Sequence, residues 1–143
     1  MSSLGDRIIG ASARFEEAFQ HRVGRPLGLR RSHYAVLRLV HEHPGITSGE
    51  IARDLNVTRP CISPVVDDLE KRGLLTRTAA PRDRRAQCLG TTASGAELVQ
   101  KAIELALETE RTLLSGWSTD ERHRLDQLIE RLASVRPVSV TPR

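Results

Sequence analysis

The chain has 143 residues, of which 38% are apolar, 28% charged and only 3% aromatic. That suits a single soluble domain whose core is built from Leu, Ile, Val and Ala in packed helices, and no apolar run is long enough to span a bilayer. The formal net charge of +4 is an excess of the sort found in proteins that meet nucleic acid, though a basic surface kept for solubility explains it equally well.

From Leu4 to about residue 22 the apolar positions Leu4, Ile8, Ala11, Phe15, Ala18 and Phe19 recur in steps of three and four, one stripe on a first helix. Gly24, Pro26 and Gly28 are expected to break it. Ser32 is positioned to cap a second helix carrying Tyr34, Val36, Leu37, Leu39 and Val40, which His43-Pro44-Gly45 ends. Thr47 followed by Glu50 has the capping-box spacing and starts a short third helix that buries Ile51, Ala52 and Leu55. Asn56 tolerates the left-handed conformation of a tight turn, and Val57 is expected to pack in the angle beyond it. Thr58 then caps a helix carrying Ile62, Val65, Val66 and Leu69, ended by Gly73.

Leu74 to Thr78 reads as a strand, Ala80 to Arg85 as a loop, and Ala86 to Leu89 as a short returning strand. Within this hairpin Arg77, Arg82, Arg84 and Arg85 cluster around a single acid, Asp83. A long helix follows from Thr92 to about Leu114, and Ser118 with Glu121 forms a second capping box for a last helix to Val135. Residues 136–143 hold two prolines and are expected to be a mobile tail.

Two helices over 47–73 joined by a tight turn make a helix-turn-helix, which pushes its second helix outward where it can enter a major groove. Thr58, Arg59 and Ser63 at its exposed start, with Thr47 and Ser48 on the preceding helix, are candidates for contact with bases or phosphates. The arginine hairpin, with Arg77 at its base and Arg82, Asp83, Arg84 and Arg85 at its tip, suits the adjacent minor groove, whose narrow width concentrates negative potential. Asp83 is expected to orient a neighbouring guanidinium, since phosphate repels a bare carboxylate. Pro64 falls inside the second helix. Either that helix has a distorted first turn or it begins near Ser63.

These segments resemble the MarR family of winged-helix regulators. The residues that carry the resemblance are Gly49-Glu50-Ile51-Ala52-Arg53-Asp54-Leu55-Asn56-Val57, the run from Val66 to Arg77, Asp83-Arg84-Arg85, Thr92-Ala93-Ser94-Gly95 and Ser118-Thr119-Asp120-Glu121. The resemblance implies a mainly α fold: a winged helix-turn-helix lobe over 32–90, with dimerisation helices over 4–22 and 92–135, in one domain over 1–143. It also implies a homodimer that binds a pseudo-palindromic operator in double-stranded DNA, with Arg84 and Arg85 as the wing arginines. The function expected is a transcriptional regulator, a repressor released by a small ligand.

Family members respond to small aromatic acids, so Arg14, His21, Arg22, His33 and Arg38 on the first two helices are candidates to hold an anionic aromatic ligand. For any one of them a surface charge or an interhelical salt bridge is the simpler reading. Cys61, beside the reading residues, offers an oxidant-sensing alternative, against its reading as a small packing residue. Cys61 and Cys88 form no CxxC pair, His41 and His43 sit on different faces of their helix, and neither metal nor other cofactor is expected. Asp67, Asp68 and Glu70 read as a solvated acidic face. No Walker loop, GxSxG elbow, HExxH or dinucleotide-binding glycine pattern is present, so an enzyme is not expected. A winged helix that binds protein is the remaining alternative. Asp6, Arg7 and Arg14 interrupt any secretory pattern, so a cytoplasmic protein with no membrane partner is expected.

Overall fold

A computed structural model describes residues 1–79 and 86–136. The tail expected to be mobile lies outside the described residues from position 137 on. The chain divides into two compact units, Met1–Glu110 and Arg111–Arg143.

The first unit opens with α1 (Leu4–Phe19), whose Ser3 and Asp6 form a reciprocal capping box. Gly24 and Pro26 do not break the chain as expected. The helix continues through a π turn (Gln20–Gly24) into a single turn, α2 (Arg25–Leu27), and stops only at Gly28, which has φ +64°. The reason lies in Pro26, which has no N–H and would crowd the carbonyl four residues earlier. Widening to a five-residue hydrogen bond, from the Arg25 N–H to the Gln20 carbonyl, lets the chain pass the ring without ending. Gly24 has its own role, because a Cβ there would lie 2.8 Å from the Leu29 carbonyl oxygen.

The next helix, α3 (Arg31–Glu42), begins two residues earlier than a Ser32 cap predicts. Its N-cap is Arg30, and no side chain caps it. α4 (Ser48–Asp54) starts at the expected Thr47–Glu50 capping box, and Asn56 turns the chain at φ 54°. Helix α5 (Arg59–Lys71) is continuous, so the reading in which it starts near Ser63 does not hold. Its first turn is tightened by a bond from the Cys61 N–H to the Thr58 carbonyl. Thr58 holds the N-cap position, yet its hydroxyl lies 3.3 Å from Cys61 Sγ and caps no backbone N–H. Val57 is exposed, contrary to expectation. The angle between α4 and α5 is filled instead by Ile51, Ala52, Ile62 and Val66, all buried.

The hairpin pairs β1 (Leu75–Ala79) with β2 (Gln87–Thr91), antiparallel, with Arg77 opposite Leu89. β2 is longer than expected. Gly90 and Thr91 stay paired because Leu75 and Thr76 continue opposite them, and Gly90 leaves room for the Thr76 hydroxyl. Gly45–Thr47 lies along the other side of β2: the Gly45 N–H donates to the Leu89 carbonyl, the Leu89 N–H donates to the Ile46 carbonyl, and Thr47 bridges Cys88. The wing base is thus tied to the N-terminus of α4. The core joins α3, α4, α5, both strands and Val99 of α6 (Ala93–Leu113), and a second cluster gathers Phe19, Val23, Leu29, Tyr34 and Ala102.

Thr92 caps α6 through its hydroxyl, which accepts from the Gly95 N–H and donates to the Gly73 carbonyl. The second unit carries α7 (Thr119–Ala133), begun by the predicted Ser118–Glu121 capping box. Among the described residues no helix is long and apolar enough to cross a membrane.

Candidate functional site

The N-termini of α4 and α5 meet at one corner. Thr47 Oγ accepts from the Glu50 N–H at 3.3 Å while the Glu50 carboxylate accepts from the Thr47 N–H at 2.9 Å. Arg59, the first residue of α5, is exposed and runs beside Gly49. A Cβ at Gly49 would sit 3.8 Å from Arg59 Cδ and 3.9 Å from both Arg59 Nε and Thr47 Oγ. The fold therefore gathers Thr47, Ser48 and Arg59, which are 12 positions apart at the extremes, onto one surface. Thr58 and Ser63 are also exposed, and the Ser63 hydroxyl donates to the Arg59 carbonyl at 3.2 Å. Because the Thr47 box satisfies two backbone donors that would otherwise be orphaned, Thr47→Ala is expected to cost about 1 kcal/mol of stability, read by urea denaturation.

Arg77 points elsewhere. Its guanidinium bonds Asp67 and reaches Glu70 at 3.4 Å, tying β1 to α5. Asp67, Asp68 and Glu70 are exposed, as a solvated face requires, and each also has a partner. Asp67 and Glu70 hold Arg77, and Asp68 accepts from His33 at 2.8 Å. Arg82, Asp83, Arg84 and Arg85 lie outside the described residues, between the ends of β1 and β2.

A cavity of about 560 Å³ opens between α1, α3 and α6, lined by Phe15, Phe19, Arg31, Tyr34, Arg38 and Glu42 among others. Phe19 and Tyr34 pack with ring centroids 5.1 Å apart, and the Arg31 guanidinium lies 4.4 Å from the centre of the Phe19 ring. Arg31 is also 3.6 Å from Glu16, and Arg38 Nη1 donates to both carboxylate oxygens of Glu42, at 3.0 and 2.8 Å. Burial raises the Tyr34 pKa above the ordinary tyrosine value, against the lowering pull of Arg38 and Arg31. The phenol thus stays protonated, and a hydrogen-bond donor, at neutral pH. The stability linked to it is present below the unfolded value and is lost as pH rises through the higher folded one.

Of the ligand candidates, only Arg38 lines this cavity. His33 is buried and bonded to Asp68 beside a different cleft, while Arg14 and His21 are exposed and line neither. Sequence reasoning missed Arg31, and it took Tyr34 only as a core residue. The signal was available: Arg31, Tyr34, Ala35, Arg38 and Glu42 fall on one face of α3 at helical spacing. Among the described residues no cluster of three or more His, Cys, Asp or Glu could hold a metal ion. Cys61 is exposed and Cys88 half-buried, both as free thiols.

The fold and this surface define a winged helix-turn-helix protein whose second helix turns an exposed face and start outward. A family model described as MarR family matches residues 29–86. The transcriptional repressor CouR, solved on a 23-mer DNA duplex, is 33% identical and superposes with a TM-score of 0.84, with 92% of each chain covered. A probable transcriptional regulator from Pseudomonas aeruginosa is 27% identical with a TM-score of 0.83, covering 92% of this chain and 97% of that one. A candidate transcriptional regulatory protein for the hcr operon of Thauera aromatica is 31% identical over 109 residues, 76% of this chain and 64% of its own length. The chain thus spans just under two thirds of that relative. It belongs to the MarR family, whose members are transcriptional regulators and not enzymes.

Proposed function

We propose that this MarR-family regulator is a cytoplasmic homodimer that binds a pseudo-palindromic operator in double-stranded DNA and represses transcription until a small aromatic acid releases it. The observation that carries the DNA reading is the corner at which Thr47, Ser48 and Arg59 meet beside the exposed start of α5. A helix presented in this way lays its first residues against base edges, and Arg59, Thr58 and Ser63 are the side chains at that start. Arg84 and Arg85, by their place between β1 and β2, supply the minor-groove contact. The DNA-bound CouR relative supports the same partner.

The homodimer reading rests on apolar residues left open. Leu4, Ile8, Ile9 and Phe15 of α1 are exposed in the first unit, and Leu128, Ile129 and Leu132 of α7 in the second. A second copy would cover them, and light scattering should then give twice the 15.9 kDa chain mass. The ligand reading rests on the cavity under Tyr34. Aromatic rings offer stacking, the neutral phenol offers a donor, and Arg31 and Arg38 can exchange their carboxylate partners for that of the ligand. Release requires the ligand to prefer the conformation that does not bind DNA.

The deciding experiment is anisotropy binding to the duplex upstream of the protein's own gene against a scrambled duplex, across a salt series. Expected is tighter binding to the native duplex with a steep salt slope, weakened about tenfold or more by Arg84→Ala with Arg85→Ala. Equal and weak binding to both duplexes would count against specific recognition, and no binding at low salt would turn the assignment to a protein-binding winged helix. Salicylate added to the bound complex should lower affinity in the wild type and not in Arg38→Ala. A salicylate effect that survives Arg38→Ala would remove the cavity from the account.

A further inference from the structure

A second cleft, of about 360 Å³, lies on the flank of α5 where it meets the start of α3, lined by Gly28, Arg30, His33, Pro64, Asp68 and Arg72 among others. Arg72 reaches across from the end of α5, its Nη2 only 3.6 Å from where a Cβ would stand on Gly28. Arg30, the N-cap of α3, lines the same cleft. Both are exposed, and among the described residues neither has an ion-pair or side-chain hydrogen-bond partner.

One acid, Asp68, also stands on the wall; its Oδ2 accepts from His33 Nε2 at 2.8 Å, and neither arginine pairs with it. The other two acids of that stretch of α5, Asp67 and Glu70, are held by Arg77. The start of α3 has no side-chain cap, so its first-turn N–H groups add their partial positive charge at the same end. The lining is mainly polar, unlike the aromatic cavity under Tyr34, which argues against an apolar effector here.

We propose that Arg30 and Arg72 form a clamp for a backbone phosphate of the DNA, seated beside α5 and separate from the base-reading corner at Arg59. This rests on the DNA-binding reading above. With its partner on the flank of the inserted helix, the clamp fixes how deeply and at what angle α5 enters the groove, and it carries no sequence information of its own.

The test uses Arg30→Gln, Arg72→Gln and the charge-preserving Arg30→Lys, each checked for an unchanged melting temperature, in the same salt series on native and scrambled duplexes. Removing a phosphate contact weakens both duplexes by the same factor and lowers the magnitude of the log–log salt slope by about 1 per arginine, whereas a base contact would weaken only the native one. The expected result is that uniform loss in both Gln variants, with the slope kept in Arg30→Lys. If the wild type binds and both Gln variants match it in affinity and slope, the clamp is overturned while DNA binding stands. If the Gln variants match it on DNA yet lose a thermal stabilisation that inorganic phosphate gives the wild type, the cleft holds a free anion and its assignment to a DNA phosphate is overturned. If the wild type itself shows no salt-dependent binding, it is the DNA reading that fails. Should Arg72→Gln fold poorly, Arg30→Gln alone decides.

Discussion

Gly95→Ala is expected to cost the protein about 3 kcal/mol or more and to lower its melting temperature by about 10 °C or more, the larger of the two main effects. Gly95 sits in the first turn of α6, buried beneath the residue that starts β1's approach. A Cβ at this position would lie 2.0 Å from the Leu74 carbonyl oxygen and 2.9 Å from its carbonyl carbon. Neither atom can move aside cheaply. The Leu74 carbonyl accepts from the Thr92 N–H, its own N–H donates to the Leu69 carbonyl, and its side chain is in the core. The methyl group must therefore push α6 away from the end of α5, opening the bonds that Thr92 makes to Gly73 and Gly95. Thermal melting followed by circular dichroism measures this directly. An alanine variant that melts within 2–3 °C of the wild type, on the order of 1 kcal/mol or less, would mean that α6 is not seated as closely as these distances require.

Arg59→Ala is expected to reduce affinity for the native duplex about 10- to 100-fold while changing affinity for a scrambled duplex by only a few-fold. The side chain is the one long cation at the exposed start of α5, and its stem lies along Gly49 near Thr47. A guanidinium so placed is directed by its neighbours, so less side-chain freedom is lost when it pairs with a guanine edge. Its loss should then appear as lost discrimination. Comparison of the two duplexes at a single salt concentration separates this from the uniform weakening expected at Arg30 and Arg72. Equal loss on both duplexes would demote Arg59 to a phosphate contact. Gly49 bears on the same point, since a Cβ there would rest in ordinary contact with the arginine stem, 3.8 Å from its Cδ.

Much of this arrangement was legible in the residue order. Capping boxes at Thr47–Glu50 and Ser118–Glu121, the left-handed Asn56, and the end of α5 at Gly73 are local events governed by neighbours three or four residues apart, and each stands where the spacing put it. The apolar periodicity likewise placed Ile51, Ile62, Val66 and Leu69 in the core. The misreadings came where local preference competes with something else. Pro26 was passed by a π turn, Val57 was left outside because Ile51, Ala52, Ile62 and Val66 already fill the helix angle, and Ser32 yielded the cap position to Arg30.

The sequence by itself determined the helices, the turn between α4 and α5, and the family, because these depend on periodicity and on short motifs. Only the tertiary structure decided which charges remain available. Asp67, Asp68 and Glu70 are close in sequence, but their partners, Arg77 and His33, arrive from a strand and from another helix. Tyr34 and Arg31 become walls of a cavity only when α1 and α6 close over α3, and Arg30 and Arg72 share a cleft although they lie on separate helices. Coulombic and packing interactions act on distance in space, and chain folding sets that distance independently of separation along the sequence.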